Sequence, residues 1–309
     1  MGLTKTYSSN DLDWNIGALF AHDDYIVKLL LMSKDLGIEH NIKYVFGSVP
    51  CLFNGGRIPP RDATWYNVEL IIDRYNKLGI RCRLTFSNIY IDDYKDELSN
   101  KLLQKLYDNV DKYNVKNGVI VTLDKLAKYI KKKYSKLELI SSQVKPSVEV
   151  GLGNDNVEYY NKLFSLYDVV VVNPNKVHDI EFLRDIKHKD RVEFIVNHRC
   201  FPNCKFAGEH YKAQMRLCNK FLKSEEDSKE KEKLNKINDW CLGTRQKYPL
   251  LGTSMMDSDI NLLLSLGYKH FKIEGRDNDM VCFMRDLGEY IYQQPYYSRI
   301  LHSIFGEAV

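Results

Sequence analysis

The stretch Ser265-Leu-Gly-Tyr-Lys-His-Phe-Lys-Ile-Glu-Gly-Arg276 reads as a helix end, a glycine stop, a short strand and a turn. Glycine at a helix end adopts the left-handed conformation without a Cβ clash, so the chain can leave the helix directly into a strand. From His270 to Glu274, apolar and charged residues alternate. Side chains on a strand point to opposite faces in turn, so Phe271 and Ile273 share one face while His270, Lys272 and Glu274 share the other. The same device occurs at Lys77-Leu-Gly-Ile80, ahead of a second apolar run.

Outward from these two points, eight short apolar runs are legible: Lys43–Val49, Arg83–Asn88, Gly118–Leu123, Leu137–Val144, Asp168–Asn173, Val192–Asn197, Pro249–Ser254 and His270–Gly275. Helical patterns follow them, as at Trp65–Leu78, Lys95–Tyr113, Asp124–Tyr134, Val157–Leu166 and Asp179–Ile186. Strands that alternate with helices build a parallel sheet with helices outside. Eight repeats predict closure into a (β/α)8 TIM-like barrel rather than an open doubly wound sheet, and no Gly-x-Gly-x-x-Gly turn marks the latter. A helix over Tyr25–Leu36 is expected before the first strand, covering the barrel bottom. No linker rich in Pro, Gly or Ser interrupts the chain, so residues 1–309 are read as one domain.

Helices cover the outside of such a barrel, so the charged faces of its strands must turn inward. Arg83 and Thr85, Glu138 and Ile140, and Glu193, Ile195 and Asn197 join Lys272 and Glu274 in the interior. Isolated charges there would cost several kcal/mol each, roughly, so they must pair or meet a ligand. Arg83, Glu138 and Glu193 are expected to form a structural ion-pair layer. Glu274 and Arg276, at the C-terminal end of the last strand, lie where barrels build active sites.

Composition narrows the function classes. With 44% hydrophobic and 28% charged residues, the 309-residue chain has a globular profile and enough apolar residues for a barrel core. A formal charge of +4 makes no electrostatic case for nucleic acid by itself. No apolar run is long enough to span a membrane, and the first ten residues lack a leader pattern, so a cytoplasmic location without membrane contact is expected. Oligomeric state is not legible. Seven cysteines in such a chain point to thiols or metal ligands rather than disulfides.

Four of those cysteines fall in the long connection 198–248, after the strand counted sixth: Cys200, Cys204, Cys218 and Cys241. Cys200-Phe-Pro-Asn-Cys204 spaces two thiolates so that one turn can present both to a metal. Four thiolates suit either a tetrahedral zinc or a [4Fe–4S] cluster. Cys218 lies in a helical pattern, and Cys51, after the first counted strand, competes with it as fourth ligand. His198 and His210 could serve a zinc site. Cys82 and Cys282 are set aside as bottom and helix-packing residues. Around the same mouth, Asn54, Arg57, Asn88, Asn173 and Asn197 are candidate substrate contacts, with Gly55-Gly56 beside Arg57 able to cradle an anion. The charged stretch 224–238 is expected to be a solvated helix.

The segment from Gly252 to Arg276 resembles the C-terminal signature of the peptidase U32 family. Members carry a Lys-Ile-Glu-Gly-Arg segment, matched here by Lys272 to Arg276, with a cysteine-rich loop upstream. The resemblance implies a TIM-like barrel and, in several members, a [4Fe–4S] cluster held by four cysteines. It further implies oxygen-independent hydroxylation of ubiquinone precursors or of RNA bases, with an electron donor as partner. The cysteines would then hold the cluster, while Lys272, Glu274 and Arg276 do the chemistry beside it. The family's "peptidase" name has no counterpart in a readable protease motif: Ser254 and His270 lack a partner in any motif, and no His-Glu-x-x-His occurs. Two other classes stay open: a zinc-stapled binding or assembly module without catalysis, and metal-assisted hydrolysis.

Overall fold

The computed structural model describes residues 7–8, 11–38, 40–55, 65–151, 153–222, 228–247, 254–275, 280–292 and 296–306. Eight parallel strands close into a barrel in the order β1 to β8: β1 Asp13–Ile16, β2 Ile42–Gly47, β3 Arg81–Phe86, β4 Gly118–Val121, β5 Glu138–Ser141, β6 Val169–Val171, β7 Val192–Ile195 and β8 His270–Ile273. The helices are α1 Asp23–Asp35, α2 Trp65–Lys77, α3 Glu97–Tyr113, α4 Asp124–Lys133, α5 Val144–Glu149, α6 Val157–Leu163, α7 Ile180–Asp185, α8 Ala207–Leu222, α9 Ser228–Lys247, α10 Asp257–Ser265, α11 Met280–Tyr290 and α12 Tyr296–Phe305. This is the expected (β/α)8 TIM-like architecture.

Two strand assignments differ from the sequence reading. Asp13–Ile16 is the first strand, too short and too mixed in polarity to show as an apolar run; it pairs with both β2 and β8 and so closes the barrel. The helix expected to cover the bottom, α1, therefore follows a strand and joins the ordinary helical layer. Conversely, β7 pairs directly with β8, Glu193 opposite His270 and Ile195 opposite Lys272. No strand stands between them; of the run Pro249–Ser254, residues 249–253 lie outside the described residues, and Ser254 is coil. The long cysteine-bearing connection consequently follows the seventh strand and carries α8, α9 and α10.

Inward alternation holds. Phe46, Ile120, Ile140, Val171 and Ile195 form an apolar layer inside the barrel, separate from the large core between sheet and helices. An ionic layer accompanies it. Arg83, 1% exposed, places Nη2 2.8 Å from Glu138 Oε2 and Nη1 2.6 Å from Glu193 Oε2, and its guanidinium lies over the Tyr44 ring. Burial alone would raise the Glu193 carboxyl, but Arg83 and then Lys272 hold it below the ordinary carboxylate range. Asn15 Nδ2 donates to Glu193 as well, at 3.1 Å. A layer so fully paired fixes the barrel's interior and leaves the C-terminal mouth for chemistry.

Close approach of backbones explains the glycine of Lys272-Ile-Glu-Gly-Arg276. Where β1 and β8 run out side by side, a Cβ on Gly275 would lie 2.7 Å from Ala18 N, and one on Gly17 only 2.2 Å from Gly275 N. Neither position tolerates a side chain without moving a strand end.

Candidate active site

β7 and β8 end at the mouth in Asn197-His198 and Glu274. Asn197 extends their ladder by a side chain: its Nδ2 donates to Glu274 O at 2.8 Å and its Oδ1 accepts from Glu274 N at 2.7 Å. The same Nδ2 reaches Asp286 Oδ2 of α11 at 2.7 Å. Glu274 is thereby held with its carboxylate under His198, whose Nδ1 lies 3.0 Å from Glu274 Oε2. Both side chains are buried. Burial would lower the His198 pKa, but the Glu274 carboxylate, with hydrogen bonds to Cys200 and Glu274, outweighs it and raises the imidazole to about 9.

The Cys200 thiol is hydrogen-bonded to that imidazole. With Nδ1 engaged by Glu274, the ring is oriented by a carboxylate and also meets the thiol of Cys200. Nucleophile, base and orienting acid in that sequence are the geometric signature of thiol catalysis, wherever they stand in the chain. Neither Ser254 nor His270 takes part. His270 lies at the opposite end of β8, 3.2 Å from Asp13 Oδ2, and is structural.

Above this relay lies a cavity of about 300 Å³ lined by His198, Cys200, Cys204, His210 and Cys241, together with carboxamides from neighbouring loops. Most of its wall comes from the long connection. Asn203 adopts φ +52° between the two cysteines, a left-handed turn that asparagine tolerates, and its N–H donates to Asn175 Oδ1. Gly208 lets α8 press on α5: a Cβ there would meet Ser147 O at 2.5 Å. Trp240 packs on Phe206 and Phe201, ring centroids 4.9 and 5.9 Å apart, pinning α9 to the cysteine turn. Cys241, adjacent to Trp240, is carried to the cavity by that packing.

The remaining sequence candidates divide by place. Asn173 and Asn197 stand at the mouth as expected. Lys272 lies deeper, its Nζ 3.8 Å from the Phe46 ring centroid and 3.9 Å from Glu193, inside the ionic layer. Asn54 and Asn88 hold loops: Asn54 Nδ2 donates to Val49 O, and Asn88 Nδ2 to Leu52 O and Asn219 Oδ1. Arg57 and Arg276 lie outside the described residues. Of the cysteines, Cys200, Cys204 and Cys241 line the cavity, whereas Cys218 Sγ faces Asn54 O at 3.9 Å. Cys51 is buried against the α3 N-terminus, where burial pushes its thiol up to about 12. Burial also raises Cys204. Among the described residues, no group of three or more His, Cys, Asp or Glu is set to hold a metal ion. The donors around the cavity suit a soft metal in kind, but among the described residues the four-thiolate set is not gathered. No described helix is long and apolar enough to cross a membrane.

No family model matches the chain, and no curated protein matches it in sequence. Among solved structures, the chain is similar to the U32 peptidase Mk0906, at 14% identity over 90% of this chain and 94% of that one, with a TM-score of 0.51. Looser overlaps are found with the citrate synthase SbnG, 10% identical over 90% of this chain and 91% of that one (TM-score 0.34), and with the maltogenic α-amylase AmyB from Thermotoga neapolitana, 11% identical over 60% and 55% (TM-score 0.33). Likeness at this level is one of fold. The shared fold is a TIM-like barrel.

Proposed function

We propose that the chain is a barrel enzyme that acts on an acyl group through the thiol of Cys200. The observation that carries this reading is the Cys200–His198–Glu274 relay at the floor of a mouth cavity, with the His198–Glu274 link at 3.0 Å. Glu274 holds the imidazole in one orientation and favours its protonated form, and an adjacent imidazolium stabilises a thiolate. The thiolate sulfur adds to a carbonyl carbon. As the intermediate collapses, the bond to the leaving nitrogen or oxygen breaks, and that atom takes a proton from the His198 nitrogen not engaged by Glu274. Neutral His198 then accepts a proton from water, which attacks the thioester, releases the acid and returns the proton to sulfur.

The test is a burst experiment with p-nitrophenyl acetate followed by intact mass. One acetyl group per chain, mapped to Cys200 and absent in Cys200→Ala, is expected. Acetylation spread equally over Cys200, Cys204 and Cys241, or undiminished in Cys200→Ala, overturns the reading.

A second reading is the metal-dependent chemistry that the family resemblance implies: a [4Fe–4S] or zinc enzyme, with hydroxylation of an organic or nucleic-acid substrate. It is favoured by one observation, that three soft thiols line one cavity beside two imidazoles. Anaerobic purification decides it. Brown protein with about four irons per chain supports a cluster; one tightly held zinc supports a stapled or hydrolytic site; metal-free protein with full acyl transfer sinks it.

A further inference from the structure

We propose that the mouth cavity receives an uncharged ligand presenting a carbonyl oxygen beside an N–H, the edge of a primary carboxamide or a lactam. The inference rests on the same cavity being the site of chemistry, and names the class of molecule it takes.

A backbone N–H can donate only to an oxygen, so it reveals which end of a side-chain carboxamide is which. Asn173 Oδ1 accepts from Asn175 N at 3.1 Å, and Asn175 Oδ1 accepts from Asn203 N at 3.0 Å. Both oxygens are committed, and both Nδ2 groups are left as donors without a protein partner among the described residues. The Asn173 side chain is buried at 9% exposure, so its Nδ2 is held in place by the cap it makes. In the same lining, Gln143 Nε2 donates to Tyr211 Oη at 3.0 Å, which leaves Gln143 Oε1 as an acceptor. Asn173, Asn175, Gln143 and Tyr211 all line the cavity.

Two oriented donors, with the Gln143 carboxamide in the same lining, define the complement: a carbonyl oxygen for the asparagines and an N–H for the glutamine oxygen. Charge agrees. Among the described residues, no Lys, Arg, Asp or Glu lines the cavity, and the lining residues offer a phosphate or carboxylate two imidazoles. Desolvating an anion against carboxamides and thiols would not be repaid. Phe201 and Leu242, also in the lining, offer apolar surface to the body of such a ligand.

The experiment uses full-length Cys200→Ala protein, so that binding is read without turnover, and titrates benzamide, N,N-dimethylbenzamide and benzoate by calorimetry. Benzamide should bind saturably, and each of the other two at least about tenfold more weakly, the loss expected of one mismatched buried hydrogen bond. Asn173→Asp and Asn175→Asp keep the oxygen that accepts from the backbone but remove the Nδ2 donor. Each should weaken benzamide by a similar factor while leaving the thermal unfolding midpoint near that of the parent. Absence of saturable benzamide binding, benzoate binding as tightly, or unchanged affinity in both aspartate variants overturns the inference. Because the parent here lacks the thiol, saturable binding combined with failure of the acetylation burst would discard the thiol reading alone.

Discussion

Asn197 grips the peptide of Glu274 from both sides, donating to its carbonyl at 2.8 Å and accepting from its N–H at 2.7 Å. It thereby replaces one rung of β-ladder with a side chain, just where β7 and β8 would otherwise splay. Glu274, and through it His198, owe their placement to this contact. Asn197→Ala should reduce turnover on the order of 100-fold, the cost typical of a reacting group displaced by about an ångström. Acetylation rate measured alongside circular dichroism checks it, since the fold should persist. Loss of secondary structure in step with rate would assign Asn197 to stability instead.

Glu274→Gln keeps the shape of the carboxylate but removes its charge. The imidazole then loses the partner that raises its pKa, and its orientation no longer distinguishes the two ring tautomers. Acylation should fall by about two to four orders of magnitude, as is usual when the acid of such a relay is neutralised. The barrel and any bound metal should be unchanged. Rapid-mixing kinetics of the burst would measure the drop, and wild-type rates would remove Glu274 from the mechanism.

Within the barrel, Arg83 bridges two carboxylates at once, with Lys272 beside one of them. Arg83→Met would strand Glu138 and Glu193 in the interior, and breaking a buried pair from one side costs about 3–5 kcal/mol. Urea unfolding should show a loss of this size. Adding Glu138→Gln and Glu193→Gln should restore much of it, because the cost comes from uncompensated charge rather than from a missing contact.

The His270–Asp13 pair joins β8 to β1 at the barrel bottom. Burial lowers the His270 pKa, but the hydrogen bond and charge of Asp13 overcome it, so the folded value is raised. The hydrogen bond to His270 is the main cause that lowers Asp13. A raised histidine stabilises fully below its unfolded pKa of about 6.5 and loses that contribution as pH rises through the folded value. A lowered aspartate stabilises above about 3.8 and loses it as pH falls through the folded value. The pair therefore contributes most between those limits. The difference in unfolding free energy between wild type and His270→Asn should shrink from pH 6 to pH 9; a flat difference would show that the pair does not titrate on unfolding.

What the sequence by itself determined is the repeat and the inside of the barrel. Glycine stops before strands, and strict alternation in segments such as Phe271-Lys-Ile-Glu274, are local properties that survive without knowledge of neighbours. They sufficed for the barrel, the inward Arg83–Glu138–Glu193 layer and the mouth position of Glu274. Only the tertiary structure decided which strands touch. Asp13–Ile16 becomes a strand because β2 and β8 supply partners on both edges, not because its own pattern demands it. Reading Pro249–Ser254 as a strand inserted one between the cysteine loop and Glu274, and so kept His198 apart from its carboxylate. Direct pairing of β7 with β8 brings them together, and the packing of Trp240 on Phe201 and Phe206 selects which thiols reach the cavity. Hydrogen bonds and side-chain packing between segments distant in sequence carry no local periodicity, so the relay could be found only once the barrel was closed.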